Sequence, residues 1–127
     1  MGARFVWNEL ITSDQKASGD FFCALFGWER QQVDIGPQGT YTLFRQDGQD
    51  VAGMMNPATD YSRSRPPFWS AYIQVDGIDS CVAKVEALGG AVIAPPQDIP
   101  DVGRIGMISD PGGAPVCLMT PKNDPEE

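Results

Sequence analysis

Hydrophobic and polar residues alternate at the start of the chain. Residues 5–11 predict a strand that places Trp7, Glu9 and Ile11 on one face. The polar residues at 12–14 offer helix N-caps, and apolar residues then recur at helical spacing until Gly27. This apolar stripe contains Ala17, Phe21, Ala24 and Leu25, and it is widened by Phe22 and Phe26. Three shorter runs that predict strands follow at 28–35, 40–46 and 50–55.

The second half of the chain repeats this order of elements. Residues 68–75 predict a strand, and a predicted helix follows that ends at Gly89 and Gly90. The apolar positions of this helix are Ile78, Val82, Val85 and Leu88. Runs at 91–98, 102–109 and 115–120 predict three further strands.

The two halves match at a constant offset of 63 residues. Gly27 and Gly90 end the two predicted helices at this spacing, and Asp47 and Asp110 open the two last hairpin turns at the same spacing. The identities are few, so the repeat rests on the matching places of the helix end and the turn. Neither half could bury both faces of a four-stranded sheet alone.

We therefore predict an α+β fold of two tandem βαβββ modules, whose curled mixed sheets enclose a shared cleft. The chain is interpreted as one domain over 1–127. Module one covers 4–60, a linker 61–67, module two 68–121 and a tail 122–127.

The charge balance argues against two classes of partner. Nine Lys and Arg against 17 Asp and Glu give a net charge of −8. Nucleic-acid backbones and anionic membranes require clustered basic residues, so we expect neither partner. The densest basic pair, Arg63 and Arg65, lies in the Ser/Pro-rich linker and is interpreted as solvated.

Cysteine spacing and hydropathy predict a cytoplasmic location. The three cysteines have no CxxC spacing, which argues against a disulfide framework or a zinc knuckle. No apolar run approaches the roughly 20 residues of a membrane span, and the N-terminus lacks the pattern of a signal peptide.

Segments in both halves resemble the vicinal oxygen chelate superfamily, which includes glyoxalases, bleomycin-resistance proteins and extradiol dioxygenases. The resemblance is carried by FVWNELITSD at 5–14, the helix end at 21–28, the second helix entry at 75–79 and the turn at 110–113. It extends over residues 4–121 and implies the duplicated fold. It implies no particular reaction.

Enzymes of that superfamily bind a divalent metal through one side chain from the first and one from the last strand of each module. Carried over to this chain, the four positions fall on Trp7, Ser70, Met54 and Cys117. Indole offers only an N–H donor, a thioether is soft, a hydroxyl rarely ligates unaided, and one thiol cannot hold an open site. If the alignment is shifted by one residue, Asn8 or Glu9 becomes available, but the set of four metal ligands is still incomplete. The chain also has no histidine, the commonest metal ligand. We expect no metal and no cofactor.

The same positions are candidate ligand contacts. We predict that the ligand-binding residues are Trp7, Phe44, Met54, Trp69, Ser70 and Cys117. This aromatic and polarizable set suits a small aromatic or apolar molecule. The alternative for Trp7 and Met54 is that they fill the core. Cys117 is interpreted as an inert buried thiol, because no histidine is present to activate it as a nucleophile.

Glu9 and Tyr72 are the candidate catalytic residues. A carboxylate beside Trp7 in a dry cleft would have a raised pKa, as a general acid or base requires. The alternative is that Glu9 pairs with an arginine or points into water. Arg45 and Arg104 could reach an anionic ligand, although solvated arginines are the commoner outcome.

Three functions remain open on this sequence. The first is a metal-independent small-molecule-binding protein whose family metal site has been lost. The second is a lyase, isomerase or hydrolase that uses Glu9 or Tyr72 for acid–base chemistry, with or without metal. The third is a degenerate relative that serves as an interaction or dimerisation module. We also expect a homodimer, because the edges of such sheets are commonly paired.

Overall fold

A computed structural model of the chain describes residues 2–99 and 102–122, so residues 123–127 of the predicted tail lie outside the described residues. The fold is α+β, as predicted, with eight strands and three α-helices among the described residues. No helix in this part of the chain is long and apolar enough to cross a membrane. The chain divides into two compact units. The first is Trp7–Ser70, and the second combines residues 2–6 with residues from 71 onward.

The first unit has the predicted βαβββ order. Its elements are β1 (Arg4–Ile11), which belongs to this unit from Trp7 onward, α1 (Gln15–Phe26), β2 (Glu29–Asp34), β3 (Thr40–Gln46), β4 (Gln49–Met55) and α2 (Asp60–Arg63). Its strands lie in the order β2-β3-β4-β1. Neighbouring strands are antiparallel except β1 and β4, which are parallel. The Asp14 carboxylate accepts a hydrogen bond from Ala17 N and starts α1, and Gly27, with a φ of 76°, ends it.

Helix α1 turns an unexpected face toward the sheet. Phe22 and Cys23 pack against a core cluster of Leu10, Phe44, Ala52 and Met54. Phe21 and Leu25, which belong to the stripe predicted to be buried, are each 58% exposed. The predicted stripe is broad because Phe22 and Phe26 widen it, and its spacing alone does not tell which of its sides faces the sheet.

The second unit repeats the strand order. Its elements are β5 (Phe68–Gln74), which belongs to this unit from Ala71 onward, α3 (Ile78–Val82), β6 (Ala91–Ile99), β7 (Gly103–Ser109) and β8 (Pro115–Pro121). The strands lie in the order β5-β8-β7-β6, with β5 and β8 parallel. Their core cluster is formed by Val75, Ile78 and Leu118.

Helix α3 is shorter than the sequence predicted. It begins where the Thr120 hydroxyl accepts from Ile78 N at 3.1 Å, and it ends at Val82 instead of continuing to Leu88. From there the chain forms tight turns, in which Val85 N donates to Val82 O at 3.1 Å and Leu88 N to Val85 O at 3.1 Å. Both bonds span three residues, as in a 3-10 helix, and Leu88 N also makes one four-residue bond, to Lys84 O at 3.2 Å.

The offset of 63 residues predicted between the two halves does not hold for their last strands, β4 and β8. In β1 and β4 Glu9 pairs with Gly53, whereas in β5 and β8 Tyr72 pairs with Cys117. Glu9 and Tyr72 differ by 63 positions, but Gly53 and Cys117 differ by 64. The second hairpin turn is longer, and β3 carries a bulge beside Phe44 that shifts its register with β4. The position that matches Cys117 is therefore Gly53, and not Met54.

Candidate functional site

One face of the first unit's sheet brings together Trp7, Glu9, Tyr41 and Gly53, and we call this group the Trp7 face. Trp7 and Glu9 share one side of β1 because side chains two apart on a strand point the same way. Gly53 pairs with Glu9 on one side and with Leu43 on the other. Tyr41, two residues before Leu43, has its side chain on the same face and reaches back to Trp7.

A chain of hydrogen bonds joins the side chains of this face. The indole N–H of Trp7 donates to the Tyr41 hydroxyl oxygen at 3.0 Å. Indole has no acceptor, so the direction of this bond is fixed. Tyr41 is also hydrogen-bonded to the Glu9 side chain. Burial, followed by the nearby charge of Glu9, holds the pKa of Tyr41 well above its usual value of 10.0. The hydroxyl therefore stays protonated at neutral pH and donates a hydrogen bond to the Glu9 side chain.

Gly53 makes room for this arrangement. A Cβ atom at this position would overlap the Tyr41 hydroxyl, lie 2.6 Å from Tyr41 Cζ and lie 3.1 Å from the indole nitrogen of Trp7. The backbone of Gly53 does not have a positive φ. The requirement for glycine is therefore one of space, because no side chain fits below the phenol ring.

Glu9 is buried, with 4% of its surface exposed. Its burial is inconsistent with the alternative that the carboxylate points into water. A carboxylate in such a place is tolerated when hydrogen bonds compensate its desolvation, and the Tyr41 hydroxyl provides one such bond. The sequence identified Glu9 but not its partner Tyr41. The one available signal was a glycine inside a strand, which marks close approach of another group.

Phe44 and Met54 lie in the core and not on the Trp7 face. They are 0% and 1% exposed, and the cluster that contains them packs against Phe22 of α1. Met54 follows Gly53 on its strand, so its side chain points to the opposite side of the sheet. This is the core-filling alternative considered for Met54, and we leave both residues out of the proposed site.

The remaining predicted ligand contacts are divided between the two units. Trp69 packs its ring edge-to-face on Phe22 at 5.5 Å and so belongs to the α1 side, while 43% of it stays exposed. Ser70 is buried at the end of the first unit. In the second unit Tyr72 and the buried Cys117 are partners in the parallel pair of β5 and β8.

The first unit's residues do not fit the metal site that the resemblance implies. Trp7 has no lone pair and its N–H is bound to Tyr41. Gly53, the last-strand position that the register identifies, has no side chain, and Met54 beside it is buried under α1. Over residues 2–99 and 102–122, no group of three or more His, Cys, Asp or Glu could hold a metal ion.

Arg45 and Arg104 are held by carboxylates. Arg45 pairs with Asp50 at 3.0 Å and donates to the Gly48 carbonyl. Arg104 makes a two-pronged contact with Asp79, at 2.8 and 3.0 Å, and a further contact with Asp98 at 3.1 Å. An anionic ligand would have to displace these carboxylates to reach either guanidinium group.

Known proteins resemble the chain in sequence. "Putative glyoxylase CFP32" of Mycobacterium tuberculosis is 39% identical over 113 residues, which are 88% of this chain and 43% of that protein. "Anthracycline biosynthesis protein DnrV" of Streptomyces peucetius is 34% identical over 119 residues, 85% of this chain and 43% of that protein. The chain thus spans less than half the length of the curated relatives it matches.

Solved structures share the fold at low sequence identity. A hypothetical protein, BH1468 of Bacillus halodurans, superposes with a TM-score of 0.70 at 12% identity and covers 100% of both chains. Methylmalonyl-CoA epimerase of Mycobacterium tuberculosis superposes with a TM-score of 0.62 at 16% identity, over 92% of this chain and 87% of the other. The family model of the Glyoxalase/Bleomycin resistance protein/Dioxygenase superfamily matches residues 4–118. The chain belongs to this superfamily.

Proposed function

We propose that this domain binds a small, flat aromatic or apolar molecule at the Trp7 face, without a metal ion. The observation that carries the proposal is the hydrogen bond from Trp7 to Tyr41 at 3.0 Å. It joins two aromatic side chains, both only half-buried, on one face of the sheet. Aromatic rings that keep part of their surface free offer a platform for another ring.

The hydrogen bonds also make this platform rigid. Trp7 is held by Tyr41, and Tyr41 by the buried Glu9. A ligand that stacks on rings already fixed in place loses less conformational entropy than one that must order them. Leu43 and Met55 extend the same face with half-buried apolar side chains. This surface favours an aromatic molecule over a strongly polar one.

The proposal includes loss of the family metal site. In the first unit the two positions where the superfamily places ligands are occupied by an indole whose N–H is bonded and by a residue without a side chain. Neither supplies an electron pair to a divalent ion. Binding by shape and apolar area requires no such ion.

An anthracycline is a suitable first probe. The relative DnrV, 34% identical to this chain, is named an anthracycline biosynthesis protein. The anthracycline ring system is flat, polycyclic and aromatic, which is the chemistry that the Trp7 face favours. It also absorbs visible light, so binding can be followed by absorbance as well as by calorimetry.

Two tryptophans of the first unit provide a matched pair of variants. Trp7→Leu should weaken anthracycline binding by about fivefold or more, since removal of a stacked ring costs about 1–3 kcal/mol. Trp69→Leu removes a tryptophan from the α1 side and should leave the affinity unchanged. Equal losses in the two variants, or none in Trp7→Leu, would show that the molecule binds elsewhere.

A second candidate function is acid–base catalysis by Glu9, as a lyase, isomerase or hydrolase of the superfamily. The observation that favours it is a buried carboxyl group hydrogen-bonded to a protonated tyrosine. We would screen carbonyl and thioester compounds in deuterium oxide for exchange of the proton next to the carbonyl. Glu9→Gln should abolish such exchange, whereas Tyr72→Phe, which removes the alternative acid–base group in the second unit, should leave it unchanged. If the Glu9→Gln variant catalyses this proton exchange at the wild-type rate, Glu9 is not the base.

We further propose that the protein is a homodimer. Strand β2 lies at one end of the strand order, and all six of its residues are exposed. Such an edge is commonly covered by a partner strand. Sedimentation velocity should give a mass of twice the 13.8 kDa of the chain, and a species of single-chain mass at micromolar concentration would contradict the dimer.

A further inference from the structure

A cavity of about 520 Å³ opens in the first unit where the parallel strands β1 and β4 both end. Its volume lies within the range typical of small-molecule sites. Segments that follow the two strands meet there with α2 and the chain after it. The lining residues are 11–13, 56–57, 62–63, Arg65 and Pro67.

The charge of this cavity is opposite to that of the protein. Two arginines, Arg63 and Arg65, line it, and none of its nine described lining residues carries a carboxylate. The whole chain has a net charge of −8. The cavity is therefore a place where an anion meets local positive charge on a surface that otherwise repels it.

The two arginines occupy defined places in the structure. The guanidinium group of Arg65 lies over the ring of Tyr61 at 3.8 Å, and Tyr61 packs edge-to-face on Phe68. Arg63 pairs with Asp60 at 2.8 Å, but the Asp60 side chain is fully exposed. Such a surface pair is weak, so a ligand anion can compete for the guanidinium group.

The short helix that carries Arg63 is itself anchored. Thr59 caps α2 by accepting from Ser62 N at 3.0 Å, and the hydroxyl groups of Thr59 and Ser62 are 2.7 Å apart. Ser62 is buried and also lines the cavity. The sequence predicts a solvated linker here, and residues 63–67 are exposed in the structure. The same segment also forms one wall of the cavity.

Neutral polar groups and apolar groups complete the lining. Asn56 is oriented by Gln15, whose side-chain amide donates to Asn56 Oδ1 at 2.9 Å. Ser13 adds an exposed hydroxyl group, and Ile11, Pro57 and Pro67 add apolar surface. This combination suits a molecule with one anionic group and a carbon skeleton.

We propose that this cavity binds the carboxylate or phosphate group of a small organic anion. Arg63 and Arg65 pair with the anionic group, since guanidinium groups match the oxygen geometry of both carboxylate and phosphate. Ile11 and the two prolines contact the carbon chain. The site does not include Trp7 or Tyr41, so it stands or falls independently of the aromatic ligand proposed above.

Isothermal titration calorimetry with three probes of equal chain length tests this site. The probes are octanoate, octyl phosphate and octanol, each below its aggregation concentration and in low salt. Octanoate or octyl phosphate should bind, and a comparison of the two shows which anionic group is preferred. Octanol should bind at least about tenfold more weakly, because it forms no ion pair. Added sodium chloride should weaken the binding of the two anions and leave the binding of octanol unaffected.

Variants then locate the bound anion. The double variant Arg63→Gln/Arg65→Gln should lower the affinity for octanoate and octyl phosphate by about tenfold or more. The control Arg4→Gln removes an exposed arginine of β1 and should leave both affinities unchanged. Ser13→Glu keeps both arginines and their packing but places a carboxylate in the lining. It should therefore also lower the affinity for both anions. Trp7→Leu should bind them like the wild type.

Three results would overturn the proposal. The first is octanol binding as tightly as the anions. The second is wild-type affinity in both the double arginine variant and Ser13→Glu, with circular dichroism showing that they are folded. The third is the absence of binding by either anion at about 10 mM, a concentration well above the millimolar affinity of a weak site.

Discussion

Gly53 and Tyr41 are matched in space: a Cβ atom on Gly53 would lie 2.6 Å from Cζ of Tyr41. The phenol ring therefore occupies the volume that any other residue at position 53 would fill. This fit places the Tyr41 hydroxyl where it accepts from Trp7 and bonds to the buried Glu9. The Trp7 face thus depends on a residue that has no side chain.

Gly53→Ala should disturb this face. The added methyl group must displace Tyr41, and overpacking of this kind costs about 1–3 kcal/mol of unfolding free energy. Gly112→Ala is the control, because its Cβ would meet no atom closer than 3.4 Å, and it should change stability by less than about 0.5 kcal/mol. Urea unfolding measures both. Tyr41→Leu combined with Gly53→Ala should cost less than the sum of the single variants.

The ionisation of Tyr41 provides a test at high pH. Burial and the charge of Glu9 raise its folded-state pKa above that of the unfolded chain. Its contribution to stability is therefore fully present below pH about 10, the unfolded pKa, and is lost as the pH rises toward the folded pKa. In a titration followed by tyrosinate absorbance, Tyr41 should ionise only when the protein unfolds. Tyr41→Phe should lower the amplitude of this late step by one tyrosine, and an unchanged amplitude would contradict the raised pKa of Tyr41.

Asp20 provides the corresponding test at low pH. Its hydrogen bond from Arg30, followed by that from Lys16, lowers the pKa of Asp20 to about 2. Because the folded pKa lies below the unfolded value, this stabilisation is present above pH about 4 and is lost as the pH falls toward 2. Carboxyl chemical shifts should give a midpoint near 2 for Asp20. Arg30→Gln should move the midpoint toward its ordinary value, and an unchanged midpoint would mean that Arg30 does not hold the carboxylate.

Alanine variants of two leucines, one on strand β1 and one on helix α1, test which faces of these elements are buried. Leu10 is 5% exposed in the core cluster, so Leu10→Ala should cost about 2–5 kcal/mol of unfolding free energy. Leu25 belongs to the exposed stripe of α1, and Leu25→Ala should cost less than about 1 kcal/mol. Urea midpoints of the two variants give the comparison. Equal losses would show that the stripe of Leu25 is buried, as its spacing alone had predicted.

The sequence predicted the order of elements well because that order is local information. Alternating residues, the cap at Asp14 and the stop at Gly27 depend only on near neighbours along the chain. The failures concern choices between two local patterns of similar strength. Phe21 and Phe22 lie on two sides of one broad apolar stripe, and packing against Phe44 decides that the side of Phe22 faces the sheet.

The candidate site was only partly predictable for the same reason. Trp7 and Glu9 follow from strand alternation, but Tyr41 joins them across the sheet, over 34 positions of chain. Register, which a bulge beside Phe44 shifts, decides whether Gly53 or Met54 faces the site. No periodicity in the sequence reports a bulge, so the metal position was assigned one residue too far.

The most direct test of the account is calorimetric titration of an anthracycline into protein treated with EDTA. We predict that the affinity is the same before and after removal of divalent ions, with fewer than about 0.1 Zn, Ni, Mn or Fe per chain by elemental analysis after desalting. Trp7→Leu should weaken the binding by the same factor under both conditions. About one metal ion per chain after desalting, or binding that appears only when such an ion is restored, would contradict a metal-independent site at the Trp7 face.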